Sequence, residues 1–455
     1  MRDAVNRICN PVIQVARTPL RTMAGLATPN HPTTSRWQAF SAMRHANFRI
    51  FWLSLLAFVS AQQVIQLVLL WAVYDITESA FYVGALGLAN SIPAIVVTMF
   101  GGVIADRMDR RLVLVFAMSL QTIVAAGVVV IGLTSVVAAW HLVVAAALIG
   151  GLMGLEGPSR QAILPNLVDR EDLMNAVALF SSVWQGTRIV FPVIGGFLYA
   201  LVGLTGSFVV VTAAFALSVV LILLVRTTPT IASTQPFFRQ MSSGLAFIAK
   251  NSLFSSMIGL TFFNSFFGMA YIYLLPIFTK DFLGIGPIGL GVLFGGSAVG
   301  ALFGTLGIAA FGRDRHRNFL LLGGALLFGI TLIVFANLHQ LSFALPGMSV
   351  ATTTFALAIG VLAISGMANS AYMITIQTVL QAAVPDELRG RVMGVHGLTW
   401  SLMPLGGWQS SWIAGFFGAP VALTVGGVAV IFYAAGIATR PGFRRRVVEA
   451  TLERD

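Results

Sequence analysis

Long apolar segments are the feature of this sequence that most restricts its fold. A transmembrane helix needs about 20 consecutive apolar residues to cross about 30 Å of hydrocarbon. The 455-residue chain holds twelve segments of this kind, with approximate spans 48–74, 79–105, 112–134, 140–164, 174–202, 206–225, 253–280, 287–311, 318–337, 349–381, 389–415 and 419–438. Because helices satisfy their backbone hydrogen bonds internally, we predict an all-α membrane protein with twelve transmembrane helices.

The composition excludes a soluble globular domain. Hydrophobic residues make up 57% of the chain and charged residues 9%, whereas soluble domains are about 25% charged. The net charge of +11 raises the question of nucleic-acid binding. On the predicted topology, however, all but two of the 27 lysines and arginines lie on one side, the exceptions being Arg188 and Lys280. This bias is the usual positive-inside signal, so we expect no nucleic-acid partner.

The same topology predicts the organisation of the chain. An even number of segments places both termini on one side, and the arginine-rich ends indicate the cytoplasmic side. The one long inner connection begins at Arg226 and separates six segments from six. We therefore predict a basic cytoplasmic tail (1–46), a six-helix half (47–225), a cytoplasmic loop (226–252), a second six-helix half (253–438) and a basic cytoplasmic tail (439–455). The leader is either a disordered tail or an over-extended translation start.

A cluster of charges separates the second and third segments. Five of the six residues from Asp106 to Arg111 are charged, and a related pair, Asp314-Arg315, follows segment eight. The pattern G-x-x-x-D-R-x-x-R-R resembles the loop 2–3 signature of the major facilitator superfamily of secondary transporters, with Asp109 where that signature usually has glycine. The resemblance implies two pseudo-symmetric six-helix halves. The alternative is a basic loop that only holds topology.

Four further motifs point to one branch of that superfamily. They are Arg44–Trp52 at segment one, Pro158–Gln161 at the end of segment four, Asp172–Ala176 at segment five, and Pro385–Val392 at segment eleven. Together they resemble the enterobactin-exporter-like branch, also called transmembrane secretion effectors, which includes siderophore exporters and macrolide or multidrug efflux proteins of bacteria.

The resemblance implies a monomeric exporter in the bacterial inner membrane that moves a siderophore, drug or other amphipathic small molecule by alternating access. Protons are the expected coupling ion and membrane lipid the surrounding partner. Two alternatives remain open. One is an importer or uniporter of the same fold, and the other is a transport-dead membrane sensor or assembly partner.

Charged side chains within the segments are functional candidates, because a charge in the bilayer costs about 2.5–3.5 kcal/mol. Glu156 allows three interpretations: an inner-gate cluster with Asp106 and Arg110, a proton carrier paired with Arg188, or a static ion pair with Arg160 one helical turn away. We predict that the inner gate comprises Gly102, Asp106, Arg107, Arg110, Arg111, Glu156, Arg389 and Arg391. The proton-coupling candidates are Glu156, Arg188 and His396, although the pattern favours a hydrogen-bonded core histidine for His396.

Polar residues on segments one, seven and ten are the candidates for a substrate cavity, because in the major facilitator fold segments one, four, seven and ten line it. They are Gln62, Gln63, Gln66, Asn264, Tyr271, Asn369 and Tyr372, and the alternative for each is a hydrogen bond between helices. In segment five, Pro192, Gly195 and Gly196 resemble the antiporter signature G-P-x-x-G-G, with Phe191 replacing its first glycine. A generic tight helix crossing is the alternative there.

Enzymatic chemistry is not expected from this sequence. Neither lysine fits the G-x-x-x-x-G-K-[ST] phosphate-binding pattern. The sequence contains no His/Asp/Glu cluster at metal-ligand spacing and no nucleophile beside a base. We therefore expect no ATPase activity, no metal and no cofactor.

Overall fold

The structure is a computed structural model that describes residues 38–105, 109–134, 136–226, 245–311, 317–340, 346–347, 349–443, 445 and 447. Asp106 and Arg107 of the predicted gate lie outside the described residues, as do Asp314 and Arg315. The chain separates into two compact units, Met1–Ser41 and Ala42–Asp455. Of the first unit, residues 38–41 are described, and they begin a short 3₁₀ helix, Gln38–Arg44.

Long α-helices account for most of the described part of the second unit. In chain order they are α1 (Ala46–Thr77), α2 (Ala80–Ala105), α3 (Arg110–Leu133), α4 (Ala139–Ile163), α5 (Leu173–Leu224), α6 (Ser252–Phe263), α7 (Tyr271–Ile277), α8 (Pro287–Phe311), α9 (Gly324–Asn337), α10 (Val350–Ala383), α11 (Asp386–Trp400), α12 (Met403–Phe417) and α13 (Ala419–Ala438). The described residues form no β-strand, so the prediction of an all-α protein is confirmed.

Helix α5 runs through both predicted segments five and six. We expected a short loop beginning at Gly203, but Gly203 alone leaves the helical conformation, with φ 65° and ψ −166°. That backbone conformation is essentially restricted to glycine, because a Cβ would clash with the neighbouring peptide groups. A single glycine therefore replaces the expected loop.

Predicted segment eleven forms two helices, α11 and α12, with Ser401 and Leu402 between them. Pro404 at the start of α12 explains the interruption. Proline has no N–H to donate to the carbonyl four residues earlier, and its ring clashes with that carbonyl. By length and apolar composition, ten described helices can cross a membrane. This number is below the predicted twelve for two reasons. Segments five and six form one helix, and segment eleven is divided into α11 and α12, each of which is too short to span a membrane.

Segment seven is irregular at both ends of α7. A π-helical turn, Asn264–Gly268, separates α6 from α7, and a second π-helical turn, Phe278–Phe282, follows α7. Each π-helical turn interrupts the i→i−4 hydrogen-bond pattern, and such turns are frequent at functional sites. Residues on α6 and α7 therefore do not share one continuous 3.6-residue periodicity.

The helices pack both within and between the two predicted halves: across them, α5 packs along α8 and α2 along α12. Within each predicted half the packing is as follows. In the first, α1 packs along α5, α2 along α4, and α3 against both α4 and α5; in the second, α8 packs along α10, and α9 packs against α10 and α13. We call the end that holds residues 75–80 and Gly203 the outer end, and the end that holds the start of α5 and of α11 the inner end. These names follow the predicted topology.

Candidate functional site

The two halves enclose a cavity of about 480 Å³. The first half contributes α1 and α5, and the second half contributes α7 to α12. Its polar lining consists of Gln63, Gln66, Gln185, Arg188, Tyr271, Ser297, Thr305, Asn369, Ser370, Gln377 and His396. Its large apolar side chains are Trp184, Met269, Phe294, Phe328, Met373, Trp400 and Met403. The cavity can therefore hold a ligand that combines aromatic or apolar surface with a few hydrogen-bonding groups.

A second cavity of about 220 Å³ lies beside the first. It shares Gln63, Gln66, Trp184 and Met403 with the larger cavity, and α2 and α4 supply much of its remaining wall. Tyr273 of α7 also lines it. The glutamines of α1 thus lie between the two spaces, where their amides can reach a ligand in either one.

Most of the predicted cavity residues line these spaces, and two do not. Gln63, Gln66, Tyr271 and Asn369 line the larger cavity, and Gln62 lines the smaller one. Tyr271 shares a hydrogen bond of 2.9 Å with Ser297, and the Asn369 amide lies 3.5 Å from the Met269 sulfur.

Asn264 and Tyr372 lie behind the cavity wall. Both side chains are fully buried. The Tyr372 ring packs on Phe328, with ring centroids 6.1 Å apart, and Phe328 itself faces the cavity. Within the described part of the chain, the polar side-chain atoms of Asn264 have no hydrogen-bond partner.

Sequence reasoning missed several residues that line the cavity. Gln185 stands one turn before Arg188 on α5, and Gln377 follows Asn369 by eight residues on α10, so each pair shares a helix face. Thr305 of α8 and Ser370 of α10 share a hydrogen bond of 2.8 Å at the wall. The helical spacing from the predicted residues was the available signal for the two glutamines.

Glu156 is paired with Arg160 inside the first half. The Arg160 guanidinium lies 2.5 Å from the Glu156 carboxylate, and the exposed fractions of these side chains are 1% and 4%. Arg160 also stacks over the Phe58 ring at 4.7 Å. Among the described residues, Glu156 forms no ion pair with Arg188 or Arg110. Of the three predicted arrangements for Glu156, the Arg160 ion pair is present among the described residues; Asp106 of the gate arrangement lies outside them.

Buried amides lie between the Glu156 pair and the smaller cavity. The Gln62 side chain, which lines that cavity, donates a hydrogen bond of 2.8 Å to the Gln121 side chain. Gln121 of α3 lies near the Glu156 carboxylate, but its Nε2 has no hydrogen-bond partner among the described residues. The hydrogen-bonded path from the cavity therefore ends at Gln121, short of the carboxylate on α4.

The described arginines of the charged motif bind helix C-termini at the inner end. Arg110 donates a hydrogen bond of 2.7 Å to the Ala162 carbonyl near the end of α4. Arg111 donates to the carbonyls of Ile222 and Leu223 near the end of α5. Terminal helix carbonyls lack intrahelical donors and carry partial negative charge, so arginine stabilises them.

The remaining gate residues lie on two other helices. Gly102 lies in α2, and the partly buried Arg389 and Arg391 lie in the first two turns of α11. Two motifs of the sequence resemblance also meet at the inner end: His45 lies 2.8 Å from the Asp172 carboxylate, and the Asn175 side chain accepts a hydrogen bond from the Ala42 backbone.

Polar contacts join the two halves at the outer end. Lys280 lies 3.1 Å from both the Asp75 and the Glu78 carboxylates. Tyr74 donates a short hydrogen bond to Asp281, which neighbours Lys280. These contacts connect the last turns of α1 with the last turn of segment seven.

The predicted helix-five motif lies at the packing contact between α5 and α8. A Cβ on Gly196 would press against the Pro287 carbonyl group, 3.0 Å from its carbon, and a Cβ on Gly291 would lie 2.5 Å from the Pro192 carbonyl oxygen. Gly195 instead faces Val64 of α1, within the first half. The glycines therefore allow the backbones of the two halves to touch.

The cavity lies on the inner side of these outer contacts. The first part of α5 runs from the inner end to Gly203 at the outer end, and its cavity residues Trp184, Gln185 and Arg188 come before Pro192, nearer the inner end. In the same way, α11 begins at the inner end and carries the cavity residues His396 and Trp400 before α12 continues outward. The structure is thus closed at its outer end, with the cavity displaced toward the inner end.

Comparisons with known proteins agree with this architecture. The family model described as transmembrane secretion effector matches residues 37–451. The chain belongs to this family. It is 26% identical over 350 residues to the multidrug efflux pump Tap of Mycolicibacterium fortuitum, covering 74% of this chain and 81% of the relative. It is 24% identical over 381 residues to the staphyloferrin A transporter of Staphylococcus aureus, covering 80% and 89%.

A solved structure shows the same fold. A bacterial homologue of the human lysosomal transporter Spinster, in an inward-facing and unoccupied conformation, matches with a TM-score of 0.64 and 16% identity, covering 92% of this chain and 98% of that one. The fold is that of the major facilitator superfamily, and the resemblance inferred from the sequence motifs is confirmed. The protein is a multi-pass membrane transporter of a family whose members bind small molecules.

Proposed function

We propose that this protein exports an amphipathic small molecule across the bacterial inner membrane by alternating access. The observation that supports this most directly is the cavity between the two halves, which is closed at the outer end and lined by amides and aromatic rings. A substrate enters from the cytoplasm in this state and leaves when the outer contacts separate. The names of two relatives, an efflux pump and a siderophore transporter, support transport of such molecules.

Export is proposed to be coupled to inward proton movement. Glu156 is the one acidic residue that we predicted inside a segment, and it lies behind Gln121 and Gln62, the latter of which lines the smaller cavity. In this proposal the Glu156 carboxylate takes up a proton, which weakens its pairing with Arg160 and lets the first half rearrange. The proposed orientation places both termini in the cytoplasm.

The first prediction tests this coupling. Proteoliposomes whose inner-end face points outward are given an acidic lumen, and the uptake of dansyl-labelled amphiphiles is followed by fluorescence. We expect the acidic lumen to drive uptake, because in this orientation an antiporter exchanges protons that leave the lumen for substrate that enters it. Nigericin should abolish the drive, and protein-free liposomes provide the control. Uptake that requires ATP, or that does not respond to the imposed gradient, would contradict proton antiport.

The second prediction concerns Asp106 in the charged motif. We propose that Asp106 contacts Arg389, Arg391 and the positive N-terminus of α11 when the inner end closes. Each such interaction contributes about 0.3–1 kcal/mol when exposed and up to about 2 kcal/mol when partly buried. Asp106→Asn is therefore expected to shift the balance toward the inward-open state by about 10- to 100-fold and to lower the export rate.

Spin labels at Ala105 and Gly390 measure this shift directly. In the outward-open state their distance is expected to be short, and Asp106→Asn should depopulate that short distance. Asp169→Asn removes an equivalent charge from an exposed position at the inner end and is the matched control. If Asp106→Asn changes neither the distance distribution nor the export rate, the motif acts only as a topology signal.

A further inference from the structure

The charge of the cavity lining restricts the substrate. Among the described residues that line the two cavities, Arg188 and His396 are the ones that can carry positive charge, and none is an aspartate or glutamate. The acid predicted within the first half, Glu156, is buried against Arg160. At neutral pH the cavity therefore has a positive potential with no anionic group to oppose it.

Arg188 is the source of that potential. It lies mid-way along the first part of α5, one turn before Pro192, and its side chain is exposed to the cavity beside Gln185. Tyr271 of the second half faces it, and Arg188 forms no ion pair with any described residue. A cation within a transmembrane helix is costly unless something neutralises it. A ligand that brings its own negative charge would do so.

We propose that the cavity selects amphipathic substrates that carry a carboxylate or a comparable anionic group, with Arg188 as the residue that binds it. The inference rests on the proposed function and specifies its substrate class. The guanidinium offers a planar pair of donors that matches a carboxylate in bidentate geometry. Trp184, Phe294 and Trp400 then receive the aromatic or apolar body, and the Gln63, Gln66 and Asn369 amides bind its neutral polar groups.

The rival is a cationic drug held by the aromatic rings. Cation–π contacts with tryptophan rings stabilise such ligands. In this cavity the same ligand would meet Arg188 at short range, in a site without an acid to offset the repulsion. The two substrate classes therefore predict opposite orders of affinity for probes of similar size and different charge.

Three dansyl probes of similar size separate these classes: dansylglycine with a carboxylate, dansylglycinamide without charge, and dansylcadaverine with an amine. Binding to the full chain in nanodiscs is measured by energy transfer from tryptophan, because Trp184 and Trp400 line the cavity. Measurement near pH 8 keeps histidine neutral, since its ordinary pKa is about 6.5. Empty nanodiscs correct for partition into lipid.

We expect dansylglycine to bind about 10-fold more tightly than dansylglycinamide, or more, because a charge-assisted hydrogen bond to Arg188 increases affinity by about that factor. Dansylcadaverine should bind most weakly. Arg188→Gln should lower the affinity for dansylglycine to the value measured for dansylglycinamide. The affinity for dansylglycinamide itself should not change, and this unchanged binding shows that the variant is folded. Arg188→Lys should keep part of the preference. Arg49→Gln removes a charge from an exposed site whose guanidinium binds the Met43 carbonyl, and it should have no effect.

Equal affinities for the three probes, tighter binding of the cation, or no binding of dansylglycine would each overturn the proposal. So would a preference for the carboxylate that survives in Arg188→Gln. The wild-type comparison of probes does not depend on any variant. Export is a separate measurement: carboxylate binding that depends on Arg188 without gradient-driven movement of any dansyl probe would support this inference and contradict the proposed export.

Discussion

Replacing Gly196 with alanine is expected to hold the outer end open and to reduce transport strongly. Its Cβ would lie 3.0 Å from the Pro287 carbonyl carbon and 3.1 Å from the Ile288 Cα, both of which are backbone atoms that cannot rotate away. Overpacking of this kind costs about 1–3 kcal/mol. Because the contact joins the two halves, the substitution destabilises the inward-open state by this free energy and leaves the stability of each half unchanged. Its population should fall by about 5- to 150-fold relative to the outward-open state.

Gly291 provides a second, independent test of the same contact. Its Cβ would lie 2.5 Å from the Pro192 carbonyl oxygen and 2.9 Å from the Val193 Cα. Gly291→Ala is thus expected to reproduce the effect of Gly196→Ala from the opposite side. Gly186→Ala is the matched control, because a Cβ at Gly186 on the same helix as Gly196 would meet no atom within 4 Å.

Spin-label distances between Leu201 on α5 and Gly286 before α8 report on the outer end. We expect longer distances in both glycine variants and an unchanged distribution in Gly186→Ala, with export rates reduced in parallel. If Gly196→Ala and Gly291→Ala retain the wild-type distances and rates, the α5–α8 contact does not control the outer end, and the glycines serve only helix packing.

Breaking the Glu156–Arg160 pair should have the largest effect on stability. Glu156→Gln leaves the Arg160 guanidinium, which is 1% exposed, without its counter-ion. Removing one member of a buried ion pair typically costs about 3–5 kcal/mol, whereas replacing both members by apolar residues of similar volume is often neutral or stabilising. We expect a clear loss of thermal stability for Glu156→Gln and recovery in the double variant Glu156→Leu/Arg160→Met.

The double variant also distinguishes the roles predicted for Glu156. Thermal stability is measured by size-exclusion chromatography after heating, and transport is measured with and without the imposed proton gradient. A folded double variant that loses the response to the gradient supports the proton-carrier role, and full gradient-driven transport would show that the pair is structural. Glu171→Gln, at an exposed position before α5, controls for the loss of one acidic charge. Wild-type stability of Glu156→Gln would contradict the pairing itself.

Candidate residues on regular helices were the easier ones to predict. Gln63 and Gln66 stand in the uninterrupted helix α1, and both line the cavity as expected. Asn264 and Tyr271, seven residues apart, were both predicted to line the cavity, but the π-helical turn Asn264–Gly268 lies between them. A π turn changes the rotation per residue, so the spacing rule fails there. Asn264 is buried behind the wall, whereas Tyr271 reaches the cavity.

The fold class could be predicted from the sequence alone, because the lengths and composition of the apolar segments are local properties, and a bilayer favours helices for such segments. The motifs of the sequence also identified the family. Tertiary structure alone decided which partner Glu156 takes, which glycines join the two halves, and that Arg188 faces a cavity whose described lining includes no acid. Those facts depend on how each helix is rotated and which helix it meets. Contacts between residues such as Gly196 and Pro287, which are far apart in the chain, set that rotation, and hydropathy does not record it.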